Sequence, residues 1–197
     1  MPWLETLAAL ISVWAVWLTT QRHPWCWPIG LVSVLLYAWV FVDARLYSDM
    51  LLQGVFAVAI VYGWNRWLHH LGDDGRVRVA PLAYRAAVLH ITLGAIGALG
   101  LGLFMHRYTN AALPWLDAAL AAFSLVAQWW GIRRHTAVWW MWITVDVIYV
   151  GLYAYKSLFV TALLYVGFVL LAVAGLRSWQ QAAATQRAAA LSGDDPL

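Results

Sequence analysis

Apolar runs of roughly membrane-spanning length recur along the chain, each broken by a short polar cluster. About 20 mostly apolar residues cross ~30 Å of hydrocarbon, and shorter runs suffice where flanking side chains reach for the interface. On this rule the pattern predicts seven helices, at 3–20, 27–42, 49–67, 86–105, 114–132, 137–155 and 158–179. The breaks "TTQRHP", "DARLYSD", "HHLGDDGR" and "HRYTNAALP" carry loop chemistry. Beyond Trp179 the chain changes to "QQAAATQRAAALSGDDPL", which reads as a frayed tail.

Composition agrees with this reading. Of 197 residues 64% are hydrophobic and 11% charged, with a mean hydropathy of +0.71, values foreign to soluble domains. An all-α integral membrane protein is expected. Cys26 is the lone cysteine, so no intrachain disulfide forms, and the His69-His70 pair lacks a partner at helical spacing, so no metal site or other cofactor is expected. The first apolar run lacks a basic leader and a small-residue cleavage site and is expected to be retained. The net charge of +3 comes from basic residues scattered singly or in pairs through short loops, which argues against nucleic acid as a partner.

Laid against itself at an offset of 112, the chain matches without a gap from Pro2 to Trp67, with 18 identities in 66 positions. They include Pro2/Pro114, Trp17/Trp129, Arg22/Arg134, His23/His135, Trp27/Trp139, Tyr37/Tyr149, Gly63/Gly175 and Trp67/Trp179. Shared Pro, His, Arg and Gly at one offset point to duplication rather than to common apolar composition. A three-helix unit ends on the opposite side of the membrane from its start, so an intervening fourth helix restores the orientation of the second copy. The expected architecture is therefore seven transmembrane helices as two parallel three-helix repeats joined by a linker helix, a 3+1+3 plan. Its expected divisions are 1–68 for the first repeat, 69–112 for a cytoplasmic loop and the linker helix, 113–181 for the second repeat and 182–197 for a cytoplasmic tail. The loops after the first, third and fifth helices, with the tail, hold nine arginines, against Arg45, Arg107 and Lys156 on the other side. By the positive-inside rule the N-terminus is expected outside and the C-terminus in the cytoplasm of a cell (inner) membrane protein.

Within the sixth span the residues Trp139, Trp142, Asp146, Tyr149 and Tyr153 share one helical face; the equivalent face of the second span reads Trp27, Gly30, Val34, Tyr37 and Phe41. A carboxyl group at mid-span costs roughly 2.5–3.5 kcal/mol on insertion scales. Asp146 is thus the leading candidate for substrate contact, here with a planar cation. Trp142, Tyr149 and Tyr37 are candidates to stack on its ring, with Trp139 and Trp27 on the same faces. Gln53 and its counterpart Tyr165, together with Gln128, are candidates for polar substituents. The third span also carries Asp49, and Asp49, Asp117 and Glu5 all lie close to the outer ends of their spans, where solvation makes a carboxylate inexpensive. Pro28 and Gly30 are candidate flexing points, although Pro at a helix start is also a good first-turn residue. No nucleophile with a base, and no paired carboxylates, have usable spacing for an intramembrane enzyme.

The stretches "WPIGLVSVLLYAWVFVDARLYSDMLLQGVFAVAIVYGWNRW" and "WWMWITVDVIYVGLYAYKSLFVTALLYVGFVLLAVAGLRSW" resemble the two halves of the Pnu vitamin transporters, most closely the nicotinamide riboside carriers among them. The distinguishing pieces are Trp27-Pro28-Ile29-Gly30, Leu46-Tyr47, Leu51-Leu52-Gln53, Tyr62-Gly63-Trp64 and the helix around Asp146. The resemblance implies an architecture similar to full-length SWEET sugar transporters, assembled as a homotrimer in the lipid bilayer. It also implies facilitated diffusion of a small vitamin, made one-way when a cytoplasmic kinase phosphorylates the vitamin for NAD biosynthesis. Some similar family members have asparagine where this chain has Asp146, and the family includes thiamine and riboflavin carriers. Thiamine or riboflavin transport, and proton-coupled transport with Asp146 titrating, are the alternatives that remain open.

Overall fold

The computed structural model describes residues 2–43, 47–109, 113–155, 157 and 159–192. Arg45 and Lys156, two of the three cations assigned to the outer side, lie outside the described residues, as do the side chains of Glu5, Phe41 and Asp49. Among the described residues there are seven helices: α1 (Pro2–Thr20), α2 (Cys26–Asp43), α3 (Tyr47–Leu68), α4 (Tyr84–Tyr108), α5 (Pro114–Ile132), α6 (Val138–Tyr155) and α7 (Phe159–Ser192). By length and composition alone, α4, α6 and the stretch Phe159–Leu191 are long and apolar enough to cross a membrane, and Thr6–Thr20 and Cys26–Val40 are shorter apolar helical stretches. Leu89, Leu93, Ile96, Leu99 and Leu103 of α4 are all exposed. Water would penalise such a surface at roughly 25 cal/mol per Å² of apolar area, whereas lipid tails match it.

The sequence pattern locates the helix starts to within about two residues but misses how far α7 runs. The segment after Trp179, expected to fray, is helix to Ser192. Its alanines have the highest helix propensity of any residue, so the loss of apolar pattern there marks a change of surroundings rather than an end of helix. Pro28 falls in the first turn of an unbroken α2, where its missing N–H has no helical partner to lose.

Contacts group the chain into two units, Met1–Val79 with Ile132–Arg134 and Ala174–Leu197, and Ala80–Gly131 with His135–Val173. In the first unit α2 packs against both α1 and α3. Ser12 and Ser33 hydroxyls meet at 2.7 Å, and Ser33 also donates to Ala8 O at 2.9 Å, so these hydroxyls are satisfied between α1 and α2. Trp27 lies edge-on to Trp67 with ring centroids 5.3 Å apart, and Trp67 sits 5.9 Å from Trp179. The Trp179 indole N–H donates to Thr19 O at 3.0 Å, which ties α7 to the end of α1. Gly63 is what admits the Trp27 ring: a Cβ there would stand 2.5 Å from it.

In the second unit α4 packs on α5 through two further glycines. A Cβ at Gly94 would meet Val126 at 2.9 Å, and one at Gly102 would meet the Trp115 ring at 2.5 Å. The Trp130 indole donates to His90 Nδ1 at 3.0 Å, a polar tie between these two helices. Leu120, Val145 and Leu152 form the core between α5 and α6, with Leu116, Phe123 and Tyr149 packed around them.

The turns that follow α1 and α5 share several backbone bonds at the 112-residue offset. His23 N donates to Leu18 O at 3.0 Å and His135 N to Trp130 O at 2.9 Å, the six-residue closure that ends a helix on a left-handed residue. Glycine usually fills that position. Here it is Arg22, with φ 58°, and Arg134, with φ 65°. The next bonds also match: Cys26 N to His23 O at 3.1 Å and Val138 N to His135 O at 3.0 Å, then Trp27 N to Pro24 O and Trp139 N to Thr136 O, both at 3.2 Å. These arginines are spent on the segment between α3 and α4. Arg22 Nη1 donates to Val77 O at 3.3 Å while Val77 N donates to Arg22 O at 3.0 Å. Arg134 Nη1 donates to Arg78 O at 3.1 Å. Burial pulls both guanidinium pKa values below the usual arginine range; Asp74 opposes the shift at Arg22, and Arg66 adds to it at Arg134. His135 extends the same grip in the second unit, its Nδ1 lying 3.1 Å from Ala80 O.

Candidate functional site

The polar residues singled out by the sequence divide between the two units. Asp146, Trp139, Trp142, Tyr149, Gln128 and Tyr165 belong to the second, and Trp27, Tyr37 and Gln53 to the first.

In the second unit α6 and the first half of α7 bring four aromatic rings together. Tyr149 lies 4.7 Å from Tyr165 by ring centroids and 5.8 Å from Tyr153, nearly parallel to the latter at 17°. Tyr153 and Tyr165 stack at 5.2 Å and 29°, and Phe168 meets Tyr165 edge-on at 5.8 Å. The local reason is helical spacing: Tyr149 and Tyr153 are four apart on α6, and Tyr165 and Phe168 three apart on α7, so each pair shares a face.

Asp146 is one turn from Tyr149 on α6 and only 7% exposed. Its carboxyl group is within electrostatic reach of the Tyr149 and Tyr165 phenols, and Asp117 of α5 also acts on Tyr149. Among the described residues it makes no hydrogen bond or ion pair. A buried acid whose neighbours are phenol rings can balance a fixed positive charge while the rings present their π faces to it.

The structure therefore brings together Asp146, Tyr149 and Tyr165 from the sequence-derived set. It adds Tyr153, which shares the α6 face with Asp146 and Tyr149, and Phe168, three residues beyond Tyr165 on α7; the signal for both was their helical spacing from Tyr149 and Tyr165. Trp139 is buried on the same helix at 2% exposure. Trp142 and Gln128 are half-buried, with no ring or hydrogen-bond contact to this cluster among the described residues. In the first unit Tyr37 and Gln53 are half-buried, and Trp27 is committed to packing against Gly63 and Trp67. Among the described residues no group of three or more His, Cys, Asp or Glu side chains is arranged to hold a metal ion.

Apolar helices with lipid-type surfaces, matching turns after α1 and α5, and an acid buried beside stacked phenols are the features of an integral membrane protein with a candidate polar site in its second unit. The nicotinamide mononucleotide transporter family model matches residues 2–181, and the chain belongs to that family of membrane transporters. It is 24% identical to the nicotinamide riboside transporter PnuC of Escherichia coli (strain K12), over 98% of this chain and 91% of that one. A PnuC from Neisseria mucosa is 28% identical over 77% of this chain and 60% of its own length. The riboflavin/roseoflavin transporter RibM of Streptomyces davaonensis is 26% identical over 90% of this chain and 84% of its own. The crystal structure of the vitamin B3 transporter PnuC superposes with a TM-score of 0.75 at 27% identity, covering 93% of this chain and 83% of that one.

Proposed function

We propose that the chain carries a cationic vitamin precursor, nicotinamide riboside, across the membrane by facilitated diffusion. The observation that carries this reading is Asp146: an acid buried without an ion-pair partner among the described residues, beside a stack of tyrosines. Nicotinamide riboside and thiamine both hold a fixed positive charge on a heteroaromatic ring, and each cation–π contact contributes about 0.5–2 kcal/mol. Riboflavin has no such charge. The similarity to RibM supports riboflavin as a second reading, and the unpaired acid counts against it. The similarity to proteins named as nicotinamide riboside transporters favours that ligand over thiamine.

In this reading Asp146 balances the ring charge, Tyr149 and Tyr165 stack on it, Trp142 and Tyr37 add aromatic faces, and Gln53 and Gln128 hold polar substituents, while Trp27 and Trp139, buried in packing, support the helices that carry them. The two three-helix repeats, 1–68 and 113–181, rock about the ligand in a SWEET-like 3+1+3 arrangement. The chain works as a homotrimer in the inner membrane, N-terminus outside and C-terminus inside, and a cytoplasmic kinase traps the vitamin by phosphorylation. It catalyses no reaction itself.

Calorimetric titration of purified protein tests the central point. The parent is expected to bind nicotinamide riboside, with Asp146→Ala at least tenfold weaker. Equal binding by parent and variant sinks charge recognition. Uptake into proteoliposomes free of kinase separates passive flow from proton coupling: the ligand is expected to equilibrate, and accumulation above the outside concentration under a pH gradient would establish coupling instead.

A further inference from the structure

A cavity of about 480 Å³ lies in the first unit, and neither Asp146 nor any tyrosine of the stack is among its lining residues. One wall is the loop between α3 and α4, which folds as a short hairpin. Gly75 N donates to Gly72 O at 3.0 Å, Gly72 N donates to Arg76 O at 2.8 Å, and Leu71 pairs with Val77 across it. Gly75, at φ 67°, supplies the left-handed residue that closes such a turn. Asp74 Oδ1 accepts from Arg76 N at 3.0 Å and stiffens the tip. The opposite wall is the part of α7 that the sequence pattern assigns to a frayed tail. Ala182, Thr185, Gln186 and Ala189, spaced three and four apart, turn one face to the cavity, and the two alanines leave it room. With its amide oxygen and nitrogen assigned by their surroundings, Gln186 makes both hydrogen bonds to Val79, each 3.2 Å, and seats α7 against the loop.

Three arginines, Arg22, Arg76 and Arg78, line this space against two aspartates, Asp73 and Asp74. Arg22 is clasped to Val77 by backbone and side chain, so its guanidinium is held in position before any ligand arrives. Guanidinium forks match the oxygens of a phosphate, and carboxylates beside them accept from hydroxyl or N–H groups. The volume falls in the range of small-molecule sites and exceeds what a bare phosphate fills.

We propose that this cavity binds a phosphate monoester of mononucleotide size, its phosphate on Arg22, Arg76 and Arg78 and its hydroxyl groups on Asp73. The site stands on its own geometry and does not depend on what the membrane site carries.

The test is titration of the purified full-length chain in detergent with nicotinamide mononucleotide and, separately, adenosine monophosphate, with inorganic phosphate as competitor. Saturable binding is expected, weakened at least tenfold by Arg76→Gln, whose exposed side chain makes this the variant least able to disturb folding. Arg22→Lys should retain more affinity than Arg22→Gln, and unliganded melting curves identify any variant that has lost its fold. Asp146→Asn should leave the binding intact. No saturable binding up to millimolar probe overturns the proposal, and so does binding that survives Arg76→Gln but is lost in Asp146→Asn, which would move the monophosphate to the membrane site.

Discussion

Arg22 and Arg134 adopt the same left-handed backbone conformation 112 positions apart, and each donates from Nη1 to a carbonyl of the segment joining α3 to α4, at Val77 and Arg78. A non-glycine residue in that conformation costs about 1–2 kcal/mol. The turn tolerates the cost because an arginine there also reaches the neighbouring backbone. Arg134→Gly is therefore expected to be more stable than Arg134→Val by about 1–2 kcal/mol, since both lose the side-chain bond but only valine retains the strain. Melting curves of the two purified variants provide the check, and equal midpoints would argue against a strained turn.

Gly63 and Gly54 sit on the same helix in opposite circumstances. A Cβ at Gly63 would press 2.5 Å from the Trp27 ring, whereas one at Gly54 meets nothing within 4 Å. Gly63→Ala should destabilise the protein by about 1–3 kcal/mol through overpacking. Gly54→Ala should be neutral or raise stability by up to about 1 kcal/mol, from helix propensity. Thermal unfolding of both in the same detergent decides the point, and Trp27→Leu should restore much of what Gly63→Ala loses.

The bond from the Trp130 indole to His90 Nδ1 specifies a tautomer, because a nitrogen that accepts cannot carry the proton. Nitrogen-15 spectra should show His90 as the neutral Nε2–H form. Trp130→Phe should release that preference and cost about 0.5–1.5 kcal/mol, the net value of one hydrogen bond. An Nδ1–H signal in the parent protein would contradict the geometry.

Within the tyrosine stack, Tyr165 is the ring shared by Tyr149, Tyr153 and Phe168. Tyr165→Ala should weaken binding of nicotinamide riboside by roughly 2- to 30-fold, the range of one cation–π contact, while Tyr165→Phe keeps most of the affinity. Calorimetry on both variants separates the ring from its hydroxyl. A phenylalanine variant as weak as alanine would assign the contribution to the hydroxyl.

Much of this protein follows from order along the chain. Apolar run length and the polar breaks locate the helices because backbone satisfaction in lipid leaves few alternatives to helix. The gapless repeat has its counterpart in the turns after α1 and α5, which share backbone bonds at the same offset because a turn is built from consecutive residues. Helical spacing likewise placed Asp146, Tyr149 and Tyr153 on one face of α6. What only the tertiary structure decided are the partners of those faces. The Trp179 indole finds Thr19, 160 positions away, and Trp27 turns to Gly63 and Trp67. Tyr165 and Phe168 complete the stack on α6, and α7 continues to Ser192 with one face along a loop cavity. Periodicity states which way a side chain points on its own helix. Which surface it meets depends on contacts between residues far apart in sequence, formed only when the helices pack.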